Sequence, residues 1–141
     1  MFGEPGRAYV YLIYGLHYCV NAVCRPAGVA EALLIRAIEP ALGESWMRTQ
    51  RPGGGASPKL TNGPGKLCQA MNITRELDGA DLCDTKGPLF IAENPDWKIF
   101  RRKRGPALST TRIGITKAAD LPLRFYLEGS DFVSRRAKIM E

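Results

Sequence analysis

The sequence RAYVYLIYGLHYCVN, residues Arg7–Asn21, decides the fold of this chain. Two runs rich in aromatic and branched side chains, which favour a pleated surface, stand on either side of a single glycine. The residues between them, Tyr14-Gly15-Leu16, predict a tight reversal, so we expect a β-hairpin. Periodicity alone favours tyrosines that are half-buried core side chains, and at this point a binding surface remains the open alternative.

Strand alternation sorts the hairpin's tyrosines onto two faces. Successive side chains of a strand point to opposite sides of the sheet. Tyr9, Tyr11 and Ile13 therefore share one face, and Tyr14 belongs with Val10 on the other. Tyr11 and Tyr14 should not line the same pocket.

Length and composition predict one globular domain spanning residues 1–141. The apolar fraction is 45% and the charged fraction is 24%, as in ordinary globular proteins. No apolar run approaches the roughly 20 residues needed to cross a bilayer. A secretory signal pattern is also absent from the start of the sequence, so a cytoplasmic protein is the default. The four cysteines match no zinc template, and we expect neither a metal site nor disulfides.

The positive charge is concentrated in the last third of the chain. Residues 98–141 hold 11 Lys and Arg against 4 Asp and Glu, whereas residues 1–97 hold 9 against 10. The densest run is Arg101-Arg102-Lys103-Arg104. This asymmetry indicates a polyanionic partner, nucleic acid before membrane, although a solvated basic loop would also account for the run.

The segment Ala32–Glu39, ALLIRAIE, is nearly all apolar and predicts a third strand, central in its sheet. Arg36 interrupts it, and a charge in such a strand is costly unless it is paired or reaches a groove. An ion pair with an acid such as Glu39 and a guanidinium presented to phosphate are equally consistent with the composition.

A helix is predicted to begin near Pro64, because proline is favoured at a first helical position and Leu67, Ala70 and Met71 then share one face. Lys66 lies where backbone N–H groups and the helix dipole favour an anion. The nucleotide-hydrolysing pattern G-x-x-x-x-G-K-[ST] is not present, since Leu67 stands where Ser or Thr is required.

The remaining segments favour an α+β fold with a largely antiparallel sheet, because strands outnumber helices and do not alternate with them. A short helix is predicted at Leu42–Arg48 and a mobile loop at Arg51–Asn62. Further strands are expected at Pro88–Ala92, Arg112–Ile115 and Leu123–Leu127.

Five motifs in order resemble the alkyladenine (3-methyladenine) DNA glycosylase family, the animal-type enzymes with many bacterial members. They run from about residue 1 to residue 134, and they are Tyr9–Gly15 with Asn21, Leu34–Pro40, Gly63–Ala70, Arg112-Ile113-Gly114, and Arg124-Phe125-Tyr126. The resemblance implies a domain with a curved sheet and a protruding hairpin, like the C-terminal domain of formyltransferases.

The resemblance also implies a function and site residues. Enzymes of that family rotate a damaged purine nucleotide out of the duplex and hydrolyse its N-glycosidic bond. By position, Tyr14 corresponds to the wedge that fills the vacated stack, Tyr11 to a pocket aromatic, and Asn21 to a residue that crowds the purine 2-amino position. Arg36 and Lys66 correspond to contacts with the DNA backbone. The implied partner is double-stranded DNA, bound by a monomer without cofactor and with water as the nucleophile.

One part of the family pattern has no counterpart in these residues. The family's catalytic glutamate lies in a segment that corresponds to positions upstream of Met1, and so does a histidine of the catalytic region. Glu4 and His17 do not match them. We therefore expect a base-excision-repair glycosylase whose catalytic base is missing from this chain, with a non-catalytic lesion-binding module or an inactive remnant as the alternative. An RNA-binding use of the same sheet is a more remote third possibility.

Overall fold

The computed structural model describes residues 1–136. It contains two compact units, Met1–Ala92 and a second that begins at Glu93. The elements of the first unit are β1 (Ala8–Ile13), β2 (His17–Val23), β3 (Ala32–Leu34), α1 (Glu44–Gln50), α2 (Ser57–Thr61), α3 (Pro64–Ala70) and a 3₁₀ turn (Arg75–Leu77). Those of the second are α4 (Trp97–Arg104), β4 (Ala107–Thr110) and β5 (Arg124–Leu127). The predicted α+β class with antiparallel pairing is confirmed.

The predicted hairpin is present as β1 and β2, paired antiparallel from Ala8↔Ala22 to Ile13↔His17. Its reversal is a turn in which Leu16 N–H donates to the Ile13 carbonyl at 3.1 Å. The two central residues, Tyr14 and Gly15, have φ of 52° and 66°. Positive φ at both positions is the type I′ geometry that matches the twist of paired strands, which explains the glycine.

The third strand is shorter than predicted and is not central. β3 ends at Leu34, and the order β1-β2-β3 makes β2 the central strand. After β3, the Ile38 N–H donates to the carbonyl of Thr61 in α2 at 3.4 Å, and not to a residue of a neighbouring strand. The side chains of Ile35 and Ile38 pack against the core. The apolar run is therefore explained by core packing and not by burial inside a sheet.

The main core lies between one face of the hairpin and α3. Its buried members from the strands are Ala8, Val10 and Val20, and Leu67 and Cys68 come from α3. A smaller cluster joins α1, α2 and α3 through Met47, Leu60 and Ala70. Each fully buried leucine contributes about 1.5–3 kcal/mol by leaving water. The helix predicted at Pro64 is confirmed, and it holds the hairpin from one side.

Several other predictions were wrong or incomplete. The loop predicted at Arg51–Asn62 contains α2, and Pro88–Ala92 makes no strand, although Ile91 N–H donates to the Leu82 carbonyl at 2.8 Å. Arg112–Ile115 forms no strand either. A short apolar pattern cannot by itself supply a strand partner, and these segments have none in the described part of the chain.

The second unit pairs β4 with β5 from Ala107↔Leu127 to Thr110↔Arg124. β5 confirms the predicted strand at Leu123–Leu127, whereas β4 was missed. The basic run is the C-terminal half of α4, which ends where Gly105 takes a φ of 75°. Lys138, part of the predicted basic segment, lies outside the described residues. No helix within residues 1–136 has the length and apolar character to cross a membrane.

Candidate functional site

Two tyrosines form a stacked pair on the hairpin face opposite the core. The rings of Tyr9 and Tyr11 have centroids 5.3 Å apart and planes 25° apart. Ala8 and Val10, which alternate with them, are buried in the core. The parity argument from the sequence therefore describes β1 correctly. The stacked rings give one face of the sheet a flat aromatic surface.

Cys19 and Asn21 lie opposite these tyrosines on β2. The register pairs Tyr11 with Cys19 and Tyr9 with Asn21, and directly opposed residues project to the same side of a sheet. Asn21 is only 7% exposed, and its side-chain N–H donates to the Tyr9 carbonyl at 3.1 Å. We call Tyr9, Tyr11, Cys19 and Asn21 the tyrosine face. It combines an aromatic wall with a fixed amide.

Arg36 acts electrostatically on this face. Burial raises the pKa of the Cys19 thiol, and this rise is partly offset by the Tyr11 hydroxyl and by the positive charge of Arg36. Burial, followed by the neighbouring Cys19, raises the pKa of Tyr11 above its ordinary value. Both groups are therefore neutral near pH 7. The structure thus brings two of the predicted site residues, Tyr11 and Asn21, to one side of the sheet, and the charge of Arg36 acts on Cys19 beside them.

Tyr14 is placed differently from the tyrosine face. It occupies the tip of the hairpin, and its side chain is 86% exposed. Its φ of 52° is uncommon for a residue with a Cβ, so the turn holds a bulky ring where glycine or asparagine would be less strained. An exposed ring at the end of a rigid hairpin can enter a stack of bases, whereas it adds little to the core.

Lys66 lies on α3, in the turn that approaches His17 at the start of β2. A Cβ built on the neighbouring Gly65 would be 3.0 Å from the Cβ of His17, which shows how closely the first turn of α3 approaches β2. The Lys66 ammonium donates to the Asn62 side-chain carbonyl at 2.8 Å. None of the acids in residues 1–136 forms an ion pair with it. Its charge is therefore held in place without being neutralised.

A polar cavity of about 290 Å³ lies beside the same contact. Its lining comes from the start of β2, the end of α1, and α3 with the residues that follow: Leu16, His17, Tyr18, Gln50, Gly65, Cys68, Gln69, Asn72, Ile73 and Thr74. Tyr11, Asn21 and Arg36 do not line it. The tyrosine face, whose two rings are half-buried, is therefore not part of this cavity.

The hairpin strands contain no carboxylate. Neither β1 nor β2 includes Asp or Glu, and among residues 1–136 the acid hydrogen-bonded to them is Asp78, whose Oδ1 accepts from Val10 N–H at 2.8 Å. That hydrogen bond ties the free edge of β1, at Val10, to Asp78. No group of three His, Cys, Asp or Glu side chains in residues 1–136 could hold a metal ion. The tyrosine face is suited to binding a flat ring, not to acid–base chemistry.

Two members of the tyrosine face, Tyr9 and Cys19, are not among the site residues predicted from the sequence. Strand alternation groups Tyr9 with Tyr11 without a role, and Cys19 belongs to cysteines expected to form neither a metal site nor a disulfide. The available signal was the turn: a three-residue reversal, Tyr14-Gly15-Leu16, pairs Ile13 with His17 and hence puts Cys19 opposite Tyr11. The electrostatic effect of Arg36 on Cys19 had no local signal.

Comparison with known proteins identifies a matching family. The model of the methylpurine-DNA glycosylase family matches residues 1–131. The chain is 51% identical over 136 residues to a protein of Methanoculleus marisnigri, which covers 96% of this chain and 68% of that protein. It is 44% identical over 140 residues to one of Methanocella arvoryzae and 48% identical over 137 residues to one of Agrobacterium fabrum, covering 66% and 64% of them. All three carry the name "Putative 3-methyladenine DNA glycosylase". The chain spans about two thirds of the length of these relatives.

Proposed function

Because this chain belongs to the methylpurine-DNA glycosylase family, we propose that it recognises alkylated or deaminated purines in double-stranded DNA by base flipping, as part of base excision repair. The observation that carries the proposal is the separation of the stacked Tyr9–Tyr11 pair from the exposed Tyr14. One aromatic group can receive an extruded base while the other occupies the space that the base leaves.

The energetics of extrusion require both groups. Turning a nucleotide out of a duplex costs a few kcal/mol, and least for a damaged or mispaired base. Stacking on an aromatic side chain returns about 1–3 kcal/mol. Tyr11 would supply this term on the extruded purine, and Tyr14 would hold the kinked duplex open as minor-groove wedges do.

Asn21 and the two cations are assigned complementary roles. The hydrogen bond to the Tyr9 carbonyl fixes the Asn21 amide, so that it would crowd a purine 2-amino group and disfavour normal guanine. Arg36 would contact the backbone near the extruded nucleotide, and Lys66 a second phosphate. The Lys66 ammonium is held by Asn62, and the charge of Arg36 acts on Cys19 of the tyrosine face.

Hydrolysis requires a further group. Water is the expected nucleophile, and a positioned general acid or base contributes typically 10²–10⁴-fold. The family resemblance assigns this role to a glutamate that is not among the 141 residues, and neither hairpin strand supplies a carboxylate. We propose that these residues provide lesion recognition, and that removal of the base needs the missing carboxylate. A non-catalytic lesion-binding module is the alternative favoured by the same observation.

Single-turnover assays of the 141-residue chain test both forms of the proposal. The substrates are duplexes with one hypoxanthine or one 3-methyladenine, and the readouts are base release and binding relative to undamaged duplex. We expect preferential binding that Tyr11→Ala weakens and that Leu33→Ala, an exposed residue of β3, does not. Base release that is abolished by Tyr11→Ala would place the catalytic group within these residues. Equal affinity for damaged and undamaged duplex would overturn the recognition site.

A further inference from the structure

The helix α4 presents cations and an aromatic ring on one face. In an α-helix, residues three and four apart are neighbours, so Trp97, Lys98, Arg101 and Arg102 lie together. All four side chains are exposed. They line one shallow recess with Gly105 and Pro106 at the end of the helix. We call Trp97, Lys98, Arg101 and Arg102 the α4 basic face.

The charges of this face are not neutralised by neighbouring acids. Within residues 1–136, Lys98, Arg101 and Arg102 form no ion pair, whereas Arg104 of the same helix pairs with Asp131 at 3.6 Å. Elsewhere, Arg7, Arg25 and Arg48 each have an acid at 2.7–3.4 Å. Clustered exposed cations without acids repel one another and attract polyanions. The α4 basic face therefore differs from the surfaces around Arg7, Arg25 and Arg48.

Helix stability does not explain the arrangement. Cations in the last turn interact favourably with the helix dipole, and this accounts for Arg101 and Arg102. Lys98, however, lies in the first turn, where the same dipole disfavours a positive charge. A cation at that end needs another reason, and a ligand that runs along the helix supplies one.

Trp97 adds an aromatic surface beside the charges. It remains 46% exposed although its ring lies 6.3 Å from that of Phe100, at 33° between planes. Cations that follow a phosphate backbone together with an aromatic ring on which bases stack are the combination that single-strand-binding sites use. A membrane surface suits this helix less well. Its other prominent apolar side chain, the 67% exposed Ile99, is two residues from Trp97 and so points to nearly the opposite side.

We propose that the α4 basic face is a second DNA site, which binds the sugar–phosphate backbone whether or not a lesion is present. The choice of DNA as the partner rests on the function proposed above. The site would raise the affinity for any stretch of DNA, and the tyrosine face would distinguish damaged bases. The two contributions can be separated, because one depends on charge and the other on the structure of the base.

The test compares two variants of equal charge. Lys98→Gln, Arg101→Gln and Arg102→Gln are combined in one, and the exposed Lys59→Gln, Lys86→Gln and Lys117→Gln in the other. Binding to undamaged duplex and single-stranded oligonucleotides is measured across a salt series. Each phosphate contact with a duplex contributes about 0.9 to the slope of log affinity against log salt concentration. The α4 variant, which removes three cations, should therefore lose up to about 2.7 of this slope and roughly tenfold in affinity. The ratio between damaged and undamaged DNA should stay unchanged.

Trp97→Ala provides an independent variant, with the similarly exposed Trp46→Ala as its control. We expect Trp97→Ala to weaken binding to single-stranded DNA by roughly tenfold, and Trp46→Ala to leave this binding unchanged. Unchanged thermal unfolding verifies that each variant folds.

The proposal is overturned if both charge variants lose affinity equally, if neither does, or if only binding to anionic phospholipid vesicles changes. A wild-type chain without lesion preference would contradict the proposed function alone. The α4 site would still stand if its variant lost undamaged-DNA binding.

Discussion

The side-chain amide of Asn21 donates a hydrogen bond to the main-chain carbonyl of Tyr9, its partner on the neighbouring strand, at 3.1 Å. The bond crosses the ladder beside the stacked tyrosine rings. It fixes the amide in one orientation and ties it to the strand that carries Tyr11. The group assigned to purine selection is therefore rigid before any ligand binds.

Replacing Asn21 should affect both stability and selectivity. Asn21→Ala removes the bond to Tyr9, and the loss of one such bond costs about 0.5–1.5 kcal/mol in the free energy of unfolding. It also removes the group expected to crowd a 2-amino substituent, so binding to guanine-containing mismatches should rise relative to hypoxanthine. Urea unfolding and competition binding measure the two effects. A stability loss with unchanged base preference would restrict Asn21 to a structural role.

Tyr14 should matter for DNA and not for folding. Because its ring is 86% exposed and its φ is 52°, Tyr14→Gly should keep or raise the free energy of unfolding, by up to about 1 kcal/mol. The same change should weaken lesion binding by roughly tenfold, since a stacked ring is worth about 1–3 kcal/mol. Tyr14→Phe keeps the ring and should bind normally. Fluorescence of 2-aminopurine beside the lesion reports insertion, and wild-type fluorescence with Tyr14→Gly would contradict the wedge.

Gly65→Ala should destabilise the chain although alanine is the better helix former by about 1 kcal/mol. The new Cβ would lie 3.0 Å from the Cβ and 3.2 Å from the Cγ of His17, whose position is fixed by β2. Crowding of this kind costs typically 1–3 kcal/mol. Chemical unfolding measures the change. A double-mutant cycle with His17→Gly should recover part of the loss, and strict additivity would show that the two residues do not interact.

Arg36 and Lys66 should each contribute one phosphate contact to duplex binding. Arg36→Gln and Lys66→Gln are then expected to lower the steepness of the logarithmic salt dependence by about 0.9 each. Arg25→Gln is the matched control, because it removes the same charge from a residue already paired with Glu31 at 3.1 Å. Fluorescence anisotropy over a salt series gives the slopes. A slope that changes equally in all three variants would reflect net charge and not contacts.

The Cys68 thiol should make stability fall in alkaline solution. Burial raises its pKa to about 12 in the folded chain, against an ordinary value of 9.0. The contribution of this thiol to the free energy of unfolding is fully present below pH 9. It is lost as the pH rises toward 12, because the unfolded chain releases the proton first. The slope for one thiol is at most about 1.4 kcal/mol per pH unit.

Urea unfolding between pH 8 and pH 11 separates this thiol from the lysines and tyrosines that titrate nearby. Cys68→Ala should flatten the pH dependence relative to the unsubstituted chain, whereas Cys24→Ala, at an exposed thiol, should not. Parallel curves for Cys68→Ala and the unsubstituted chain would show that its thiol titrates normally.

Local signals in the sequence were enough for the hairpin, its turn and α3. The reversal at Tyr14-Gly15-Leu16 fixes which residues face each other, and alternation then sorts Tyr9 and Tyr11 away from Val10. Pro64 marks the start of α3 in the same local way. These features depend on backbone conformations within a few residues, which side-chain type controls directly. The motifs that indicated the family lie largely on these elements.

Tertiary structure alone decided which neighbours these elements have. The apolar run leaves the sheet after Ile35, whose N–H still donates to the Val20 carbonyl, because the core accepts the side chains of Ile35 and Ile38. The effect of Arg36 on Cys19 and the contact of Gly65 with His17 likewise join segments far apart in the chain. No periodicity encodes such pairs, since they depend on how whole elements pack. The sequence by itself determined the aromatic hairpin and the face that its tyrosines share, and packing determined that the charge of Arg36 acts on Cys19 and that Gly65 lies against His17.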